Sequence, residues 1–315
     1  MDILIPTLNQ MIFLFIFNLL GYIVTKTGHL STSAAAILSK LENLIFIPAL
    51  VMGTFIKNFT MRSISTAWKI LLFSTVLELI LIPVLVFVSK LCAKDAYTQR
   101  IYTYGLCFSN FAFMGNAIVQ AIFPEHFSNY ILFTLPLWVL IYVWAVPSLL
   151  VDRDEEKQTL GMRLKKLLNP MFVGLILGMV IGLLQIPLPE SILSVIEVSG
   201  NCMSPIAMLL TGITLAQMDL RKVLKRKSIY AVTTIRLLLI PAIALAVLAW
   251  IPCPEIFAIC TVCSLSMPLG LNTIVIPGAY GKDVSTASGM ALVSHLLSLI
   301  TIPLVFVGLK MIIGS

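Results

Sequence analysis

Two short runs of polar and helix-breaking residues interrupt apolar stretches that are otherwise suited to lipid. The first run contains Ser109, Asn110, Gly115 and Asn116, and the second contains Ser266, Pro268, Gly270 and Asn272. The asparagines that open the two copies of the sequence Asn-x-Ile-Val are 156 residues apart. Interrupted hydrophobic segments in corresponding positions of the two halves of a chain are typical of a transporter's binding site.

We expect a helix to break within each run, near residues 110–115 and 266–270, because proline lacks a backbone donor and glycine does not hold a helix rigid. Inside a membrane such breaks are tolerated only where protein or a watery cavity satisfies the freed backbone groups. The N-terminal ends of the half-helices attract anions, and their carbonyl ends suit cations or hydroxyls. Asn116 and Asn272 can donate to a carboxylate. The alternative is that these residues only join helices and that Pro268 is an ordinary kink.

Three ionisable residues inside apolar segments are candidates for coupling to protons or charge: Glu78, Arg236 and His295. A carboxylate at the depth of Glu78 costs on the order of 2.5–3.5 kcal/mol, and apolar surroundings favour its protonated form, so it can carry a proton. Arg236 stands 158 residues later as its expected charge partner. The alternative for this pair is a purely structural salt bridge. His295 is either a proton relay or a hydrogen-bonded packing residue.

The composition predicts that these residues lie in an all-α polytopic membrane protein. The chain is 59% hydrophobic and 11% charged, whereas soluble domains have about 45–50% apolar and about 25% charged residues. At about 20 residues per crossing, we expect ten transmembrane helices. Their predicted spans are 4–25, 35–56, 67–89, 98–122, 128–151, 168–186, 191–217, 228–250, 254–280 and 284–311.

The chain repeats itself at a nearly constant interval. Gly21 and Gly178 are 157 residues apart, and so are Pro48 and Pro205. We therefore expect two five-helix repeats, 1–157 and 158–315. Because five is an odd number, the second repeat must be inserted upside down. Inverted repeats of this kind, with broken helices 4 and 9 crossing between them, are typical of secondary transporters.

The basic residues predict the orientation of the helices. Connections after odd-numbered helices carry 15 lysines and arginines, and the opposite side carries 4. The positive-inside rule therefore predicts that both termini lie outside the cytoplasm, in a multi-pass protein of the cell membrane. The net charge of +7 reflects these connections and does not indicate nucleic-acid binding. Motifs for a metal, a cofactor or a catalytic centre are not recognised, so we expect a protein that is not an enzyme.

The sequence resembles the auxin efflux carrier family, which includes bacterial malate and malonate permeases and the plant PIN-formed carriers. The resemblance extends over essentially the whole chain. It is carried by Ile47-Pro48-Ala49-Leu50, Leu168-Asn169-Pro170, Gly174, Gly178, Ile186-Pro187-Leu188-Pro189, Asn116, Asn272 and Pro268.

This resemblance implies a scaffold domain of helices 1, 2, 6 and 7, a moving domain of helices 3–5 and 8–10, and a homodimer formed through the scaffold. It places Asn116 and Asn272 at a substrate-binding crossover, supported by Glu78 where plant members have aspartate. The chain departs from the family pattern at Ala112, which stands opposite Pro268, and in the short connection between its halves. Both departures argue against auxin itself as the substrate.

The predicted function is secondary transport of a small organic anion, dicarboxylate-like or auxin-like, by elevator-type alternating access with a link to protons. Its partners are the substrate, the lipid bilayer and a second copy of the chain. A sodium-coupled symporter of the bile-acid type is the first alternative, because it shares the architecture. A membrane receptor or scaffold that transports nothing is the second.

Overall fold

The computed structural model describes residues 3–31, 33–61, 63–150, 161, 169–217, 225–251, 253–279 and 282–314. Within these ranges the chain is helical and has no β-strand. The helices, numbered in chain order, are α1 Leu4–Lys26, α2 Ala34–Asn58, α3 Ile64–Cys92, α4 Ala96–Cys107, α5 Phe111–Ile122, α6 Pro124–Leu150, α7 Pro170–Leu184, α8 Glu190–Ala216, α9 Lys227–Trp250, α10 Glu255–Ser266, α11 Asn272–Ala279 and α12 Ser285–Ile313. The expected division at residues 157 and 158 lies outside the described ranges.

Seven helices of the described ranges are long and apolar enough to cross a membrane: α1, α2, α3, α6, α8, α9 and α12. They correspond to seven of the ten predicted segments. The other three segments are the 15-residue helix α7 and two interrupted segments, α4 with α5 and α10 with α11. The all-helical, multi-pass architecture is thus confirmed, whereas the number of ten crossings stays a prediction.

Short non-helical links divide the two interrupted segments. The first link covers residues 108–110, just before the predicted position, and Gly115 lies in the helical turn that follows. In this link Phe108 is extended, with φ −118° and ψ 105°. The second link covers residues 267–271, close to the predicted break, and contains Pro268, which has no backbone N–H to continue a helix.

Both links lie in the best-buried part of the molecule. The residues that lead into the first link, Ile101–Cys107, are all buried, and so are the residues that lead into the second, Ala258–Ser266. Because a buried backbone group must find a partner, the links need hydrogen bonds from elsewhere in the protein. The partners are described with the site below.

Glycines allow two pairs of helices to pack with their backbones in direct contact. A Cβ at Gly21 in α1 would overlap the carbonyl oxygen of Leu209 in α8. A Cβ at Gly178 in α7 would lie 2.6 Å from the carbonyl oxygen of Met52 in α2. Small residues at such contacts let helix backbones approach closely inside a membrane.

Candidate functional site

The two links pair with each other through their backbones. The N–H of Asn110 donates to the carbonyl oxygen of Pro268 at 2.7 Å, and Ser109 and Leu269 form an isolated antiparallel bridge. Gly270 fits tightly against the first link, since a Cβ there would lie 3.1 Å from the carbonyl oxygen of Phe108. The pairing satisfies buried backbone groups that the broken helices leave without a partner.

A small cavity of about 20 Å³ lies where the links meet. Helices α5 and α11 both begin at this cavity, so the positive ends of two helix dipoles point towards one place. The lining residues are Tyr104, Ser109, Asn110, Phe111, Ala112, Phe113, Trp138, Ile141, Gly270, Leu271 and Asn272. N-terminal N–H groups without helical partners are the usual binding groups for an anion.

The side chain of Asn272 is oriented by a tyrosine. Its Nδ2 donates to the hydroxyl oxygen of Tyr104 at 3.0 Å. Tyr104 is 1% exposed and its ring packs against that of Phe108, with the centroids 4.9 Å apart. This hydrogen bond uses one of the two N–H donors of the amide, and the second N–H is the group that could donate to a carboxylate.

The side chain of Asn110, in the first link, forms a hydrogen bond with His295 of α12. The Nδ2 of Asn110 lies 3.1 Å from Nε2 of His295, and Nδ1 of His295 lies 2.7 Å from the carbonyl oxygen of Ala291. A carbonyl oxygen can only accept, so Nδ1 carries the proton and Nε2 accepts from the asparagine. The imidazole is therefore neutral in this arrangement, as the hydrogen-bond network assigns it.

Arg236 donates hydrogen bonds to carbonyl groups at the C-terminal ends of α4 and α10. It is 2% exposed and lies in a single π-helical turn, Ile235–Leu239, of α9. Its guanidinium donates to three carbonyl oxygens: Leu106 at 2.8 Å near the end of α4, and Ser264 and Met267, each at 3.2 Å, at the end of α10. A cation at the C-terminal end of a helix is favoured by the helix dipole. One side chain thus caps two helices.

Glu78 lies inside the protein although its neighbours face outward. It is 3% exposed, whereas Leu79 and Ile80 are 63% and 61% exposed. Of the ion pairs in the described part of the chain, none joins Glu78 to Arg236 within 4.0 Å, but their charges are close enough to interact. The direct pairing expected from the sequence is therefore not formed, because the guanidinium is directed at the three carbonyls.

The side chains that usually bind metals were also compared with the position of the cavity. In the described ranges, no group of three or more His, Cys, Asp or Glu side chains is arranged to hold a metal ion. Two helix N-termini and the Asn272 amide face the cavity. The guanidinium of Arg236 binds the carbonyl of Leu106, near the end of α4.

Residues 6–306 match the family model described as membrane transport protein, the family of the auxin efflux carriers. The chain belongs to this family. The resemblance seen in the sequence is thereby confirmed, and the protein is a multi-pass membrane transporter that acts on a small molecule in a lipid bilayer. A search of curated proteins finds no significant match.

In this family member, four of the eight predicted site residues line the cavity: Ser109, Asn110, Gly270 and Asn272. Asn116 is 6% exposed but lies beyond the first turns of α5, outside the cavity wall. Pro268 contributes only its carbonyl oxygen, to Asn110.

The last two predicted residues support the links from outside the cavity. Gly115 leaves room for Tyr130, whose hydroxyl would overlap a Cβ at that position. That hydroxyl donates to the carbonyl oxygen of Phe111 at 3.2 Å. Ser266 is buried and its hydroxyl donates back to Cys263 of its own helix. We find no contact that directs either residue towards the cavity.

Four aromatic residues of the cavity wall were missed from the sequence: Tyr104, Phe111, Phe113 and Trp138. Aromatic residues are common in apolar membrane segments, so their type carries no signal. Tyr104 lies five residues before Ser109, the first residue of the predicted polar run, and therefore between one and two helical turns from it. Its contact with Asn272 spans 168 residues of sequence and becomes visible only in the fold.

Proposed function

We propose that this carrier is a secondary transporter of a small organic anion, dicarboxylate-like or auxin-like, which binds between the two broken helices. One observation carries the proposal: the N-termini of α5 and α11 and the amide of Asn272 face the same buried cavity. A carboxylate would receive backbone N–H donors from both helices and the positive ends of both dipoles. Discontinuous helices that point their N-termini at a substrate carboxylate are a recurring transporter design.

The close helix contacts support the inverted repeat. Gly21 and Gly178 are 157 residues apart, and their partners Met52 and Leu209 are also 157 residues apart. Gly21 contacts Leu209, and Gly178 contacts Met52, so exchanging the two halves converts one contact into the other. Two repeats, 1–157 and 158–315, give this symmetry directly.

The same contacts support a scaffold of α1, α2, α7 and α8. Besides the two glycine contacts, a Cβ at Gly200 in α8 would lie 2.9 Å from the Cα of Leu50 in α2. These four helices are helices 1, 2, 6 and 7 of the ten-helix prediction. The remaining helices would form the moving domain, and the scaffold would provide the homodimer contact, as the family resemblance implies.

Elevator-type motion is supported by the sizes of two cavities. The cavity between the links holds about one water molecule, so a dicarboxylate enters only if the site opens. A larger cavity of 190 Å³ lies between the scaffold and the end of α5, and the ion pair between Lys57 and Glu197, 3.2 Å long, forms part of its wall. Movement of α5 along α2 and α8 would bring the binding site to this opening.

Arg236 favours this proposal over the sodium symporter. In sodium-coupled carriers, unwound carbonyls and half-helix C-termini coordinate the ion. Here the carbonyls of Leu106, Ser264 and Met267 bind a guanidinium instead. The permanent charge of Arg236 thus takes the place that a sodium ion would need. A proton is then the coupling ion for which buried groups exist, and Glu78 and His295 are those that the sequence indicated.

The first test is thermal-shift stability of the purified carrier with malonate, succinate, malate and indole-3-acetate. It should be run at about pH 5.5 and about pH 7.5, on either side of the pKa of an ordinary histidine. We expect at least one carboxylate to stabilise the wild type and not Asn272→Ala. Asn43→Ala is the matched control, since Asn43 is exposed and donates only to Ser39 of its own helix.

Uptake into proteoliposomes then separates the alternatives. Flux of the stabilising carboxylate, lost in Asn272→Ala, would support the transporter. Stabilisation by sodium without any carboxylate would favour the symporter of the bile-acid type. Binding with no flux in the wild type would favour the receptor or scaffold that transports nothing.

A further inference from the structure

The amide of Asn110 has one satisfied end and one unsatisfied end. Its Nδ2 donates to Nε2 of His295, whereas its Oδ1 is buried and accepts no hydrogen bond. Asn110 is 2% exposed and lines the cavity between the links. A buried carbonyl oxygen without a donor carries a free-energy penalty, because it has lost its hydrogen bonds to water and gained none in the protein. An unsatisfied amide at a binding site suggests that a second arrangement exists in which it is satisfied.

His295 determines which arrangement the amide can adopt. While Nδ1 donates to Ala291, a neutral ring leaves Nε2 as an acceptor, and only the NH₂ end of Asn110 can face it. Once a proton binds Nε2, that nitrogen becomes a donor and the NH₂ end is repelled. Rotation of the amide by half a turn would then place Oδ1 against the imidazolium. The NH₂ group would move to the position where the unsatisfied Oδ1 now lies.

We propose that His295 and Asn110 form a proton-operated switch that couples binding of one proton to binding of one substrate carboxylate. In the neutral state the free end of the Asn110 amide is an acceptor and does not attract an anion. In the protonated state the free end is a donor, and the nearest place for its acceptor is the cavity. This inference rests on the proposed function, because it assumes that a carboxylate binds between the links.

The coupling follows from the cost of burying a charge. An imidazolium at 1% exposure is unfavourable unless an opposite charge compensates it. A carboxylate in the cavity provides that charge and accepts from the rotated amide. Proton binding and carboxylate binding therefore strengthen each other, and the coupling is reciprocal by thermodynamic linkage.

A second cavity gives the proton a separate path to the ring. It has a volume of 160 Å³ and is lined by Phe15, Asn18, Leu19, Tyr22, Leu215, Leu292, His295 and Leu296. The contributing helices are α1, α8 and α12, and among the lining residues Tyr22 is the only titratable group besides the histidine. No Asp, Glu, Lys or Arg lines this cavity. A charge on His295 is therefore compensated from the substrate side.

The test is isothermal titration of the full-length carrier with malonate in two buffers of different ionisation enthalpy. The difference in heat counts the protons taken up from the buffer when the anion binds. We expect one proton per malonate in the wild type and none in His295→Gln, with affinity for malonate lower by on the order of tenfold because a charge-assisted hydrogen bond is lost. His126→Gln is the matched control and should behave like the wild type.

Glu78→Gln separates a role of His295 from a role of the buried carboxylate of Glu78. If His295 carries the substrate-linked proton, Glu78→Gln still takes up one proton per malonate. Proton uptake that persists in His295→Gln would overturn the switch and leave the proposed function intact. A wild type that binds malonate without taking up a proton would do the same. Absence of binding by any carboxylate of the panel would overturn both.

A spectroscopic readout needs no substitution of His295 itself. Nitrogen-15 NMR of the double variant His29→Gln and His126→Gln reports on the one remaining histidine. Without malonate we expect the neutral ring protonated at Nδ1, and with malonate the doubly protonated ring. A spectrum that does not change on saturation with malonate contradicts the proposal even if His295→Gln does not fold.

Discussion

A broken helix leaves carbonyl groups at its C-terminal end that need hydrogen-bond donors, and Arg236 supplies donors to two such ends. Its planar guanidinium reaches the carbonyls of Leu106, Ser264 and Met267 at the same time. Lysine offers three donors from one point and cannot span the same separation. The identity of this residue is therefore set by geometry as well as by charge.

Substitution of Arg236 should lower thermal stability in a graded order. We expect Arg236→Gln to cost about 3–5 kcal/mol, because buried carbonyls lose their donors and Glu78 loses its nearby cation. Arg236→Lys should fall between the wild type and Arg236→Gln. Unfolding of the detergent-solubilised protein provides the measurement. Equal stability of the lysine variant and the wild type would contradict the role of guanidinium geometry, because a positive charge alone would then be sufficient for stability.

Tyr104→Phe tests the orientation of the Asn272 amide. The substitution removes only the hydroxyl that accepts from Nδ2, so the fold should persist. Loss of one hydrogen bond of about 1 kcal/mol should weaken carboxylate binding by about fivefold. Tyr142→Phe is the control, since Tyr142 stacks on Trp138 at 6.0 Å and lies outside the cavity wall. Equal affinities of the two variants would contradict the role of Tyr104.

Among the helices, the contacts of α1 with α8 and of α7 with α2 depend on the absence of a side chain at Gly21 and Gly178. At both positions the neighbour is a backbone carbonyl, which cannot move aside as a flexible side chain can. Such a contact would give the proposed scaffold a rigidity that the proposed moving helices do not need. Gly212 and Gly174 make further backbone contacts of the same kind in these two helix pairs.

Gly21→Ala and Gly178→Ala should destabilise the protein by similar amounts, on the order of 1–3 kcal/mol each. Similar losses are expected because the proposed repeat makes the two contacts equivalent. Gly308→Ala is the control, since a Cβ there meets only a methyl group of Leu245, at 3.0 Å. A large loss for one scaffold glycine and none for the other, in thermal unfolding, would contradict the symmetry.

Helix α4 begins with a capping aspartate, Asp95. The carboxylate of Asp95 accepts from the N–H of Thr98 at 2.8 Å, and this hydrogen bond holds the pKa of Asp95 below its usual value. Because the pKa is lower in the folded state, the cap stabilises the protein above the pKa of the unfolded chain. Its contribution is lost as the pH falls through the lower, folded-state pKa.

Asp95→Ala should therefore lower stability at neutral pH by about 1 kcal/mol. The difference from the wild type should shrink as the pH falls, because the wild-type carboxylate becomes protonated. Asp95→Asn keeps an acceptor oxygen and should therefore lower stability less than Asp95→Ala does. Thermal unfolding from neutral to acidic pH provides the measurement, and a difference that grows on acidification would contradict the assignment.

For the whole molecule, the proposed role of Arg236 predicts transport without sodium. Replacement of sodium by choline on both sides of a proteoliposome membrane should leave the initial rate of carboxylate uptake unchanged within a factor of about two. A pH gradient should change that rate, because the proposed coupling ion is the proton. Uptake that stops without sodium would contradict both the proposal and the role given to Arg236.

The sequence by itself determined the class of the protein, its family and the approximate positions of the two interruptions. These properties are local or compositional: lipid requires long apolar helices, and proline, glycine and asparagine break them wherever they stand. The break in the first segment was placed a few residues too late, because no proline marks it and the extended residue is Phe108. The 157-residue spacing also indicated which glycines to compare.

Only the tertiary structure decided which of the predicted residues share a cavity. Asn272 lines it and Asn116 does not, although both open the same four-residue pattern. The sequence paired Arg236 with Glu78, whereas the guanidinium binds carbonyls of α4 and α10. His295 and Asn110 meet across 185 residues. Such contacts depend on the direction of each side chain across helices that are distant in sequence, and a local pattern contains no information about that direction.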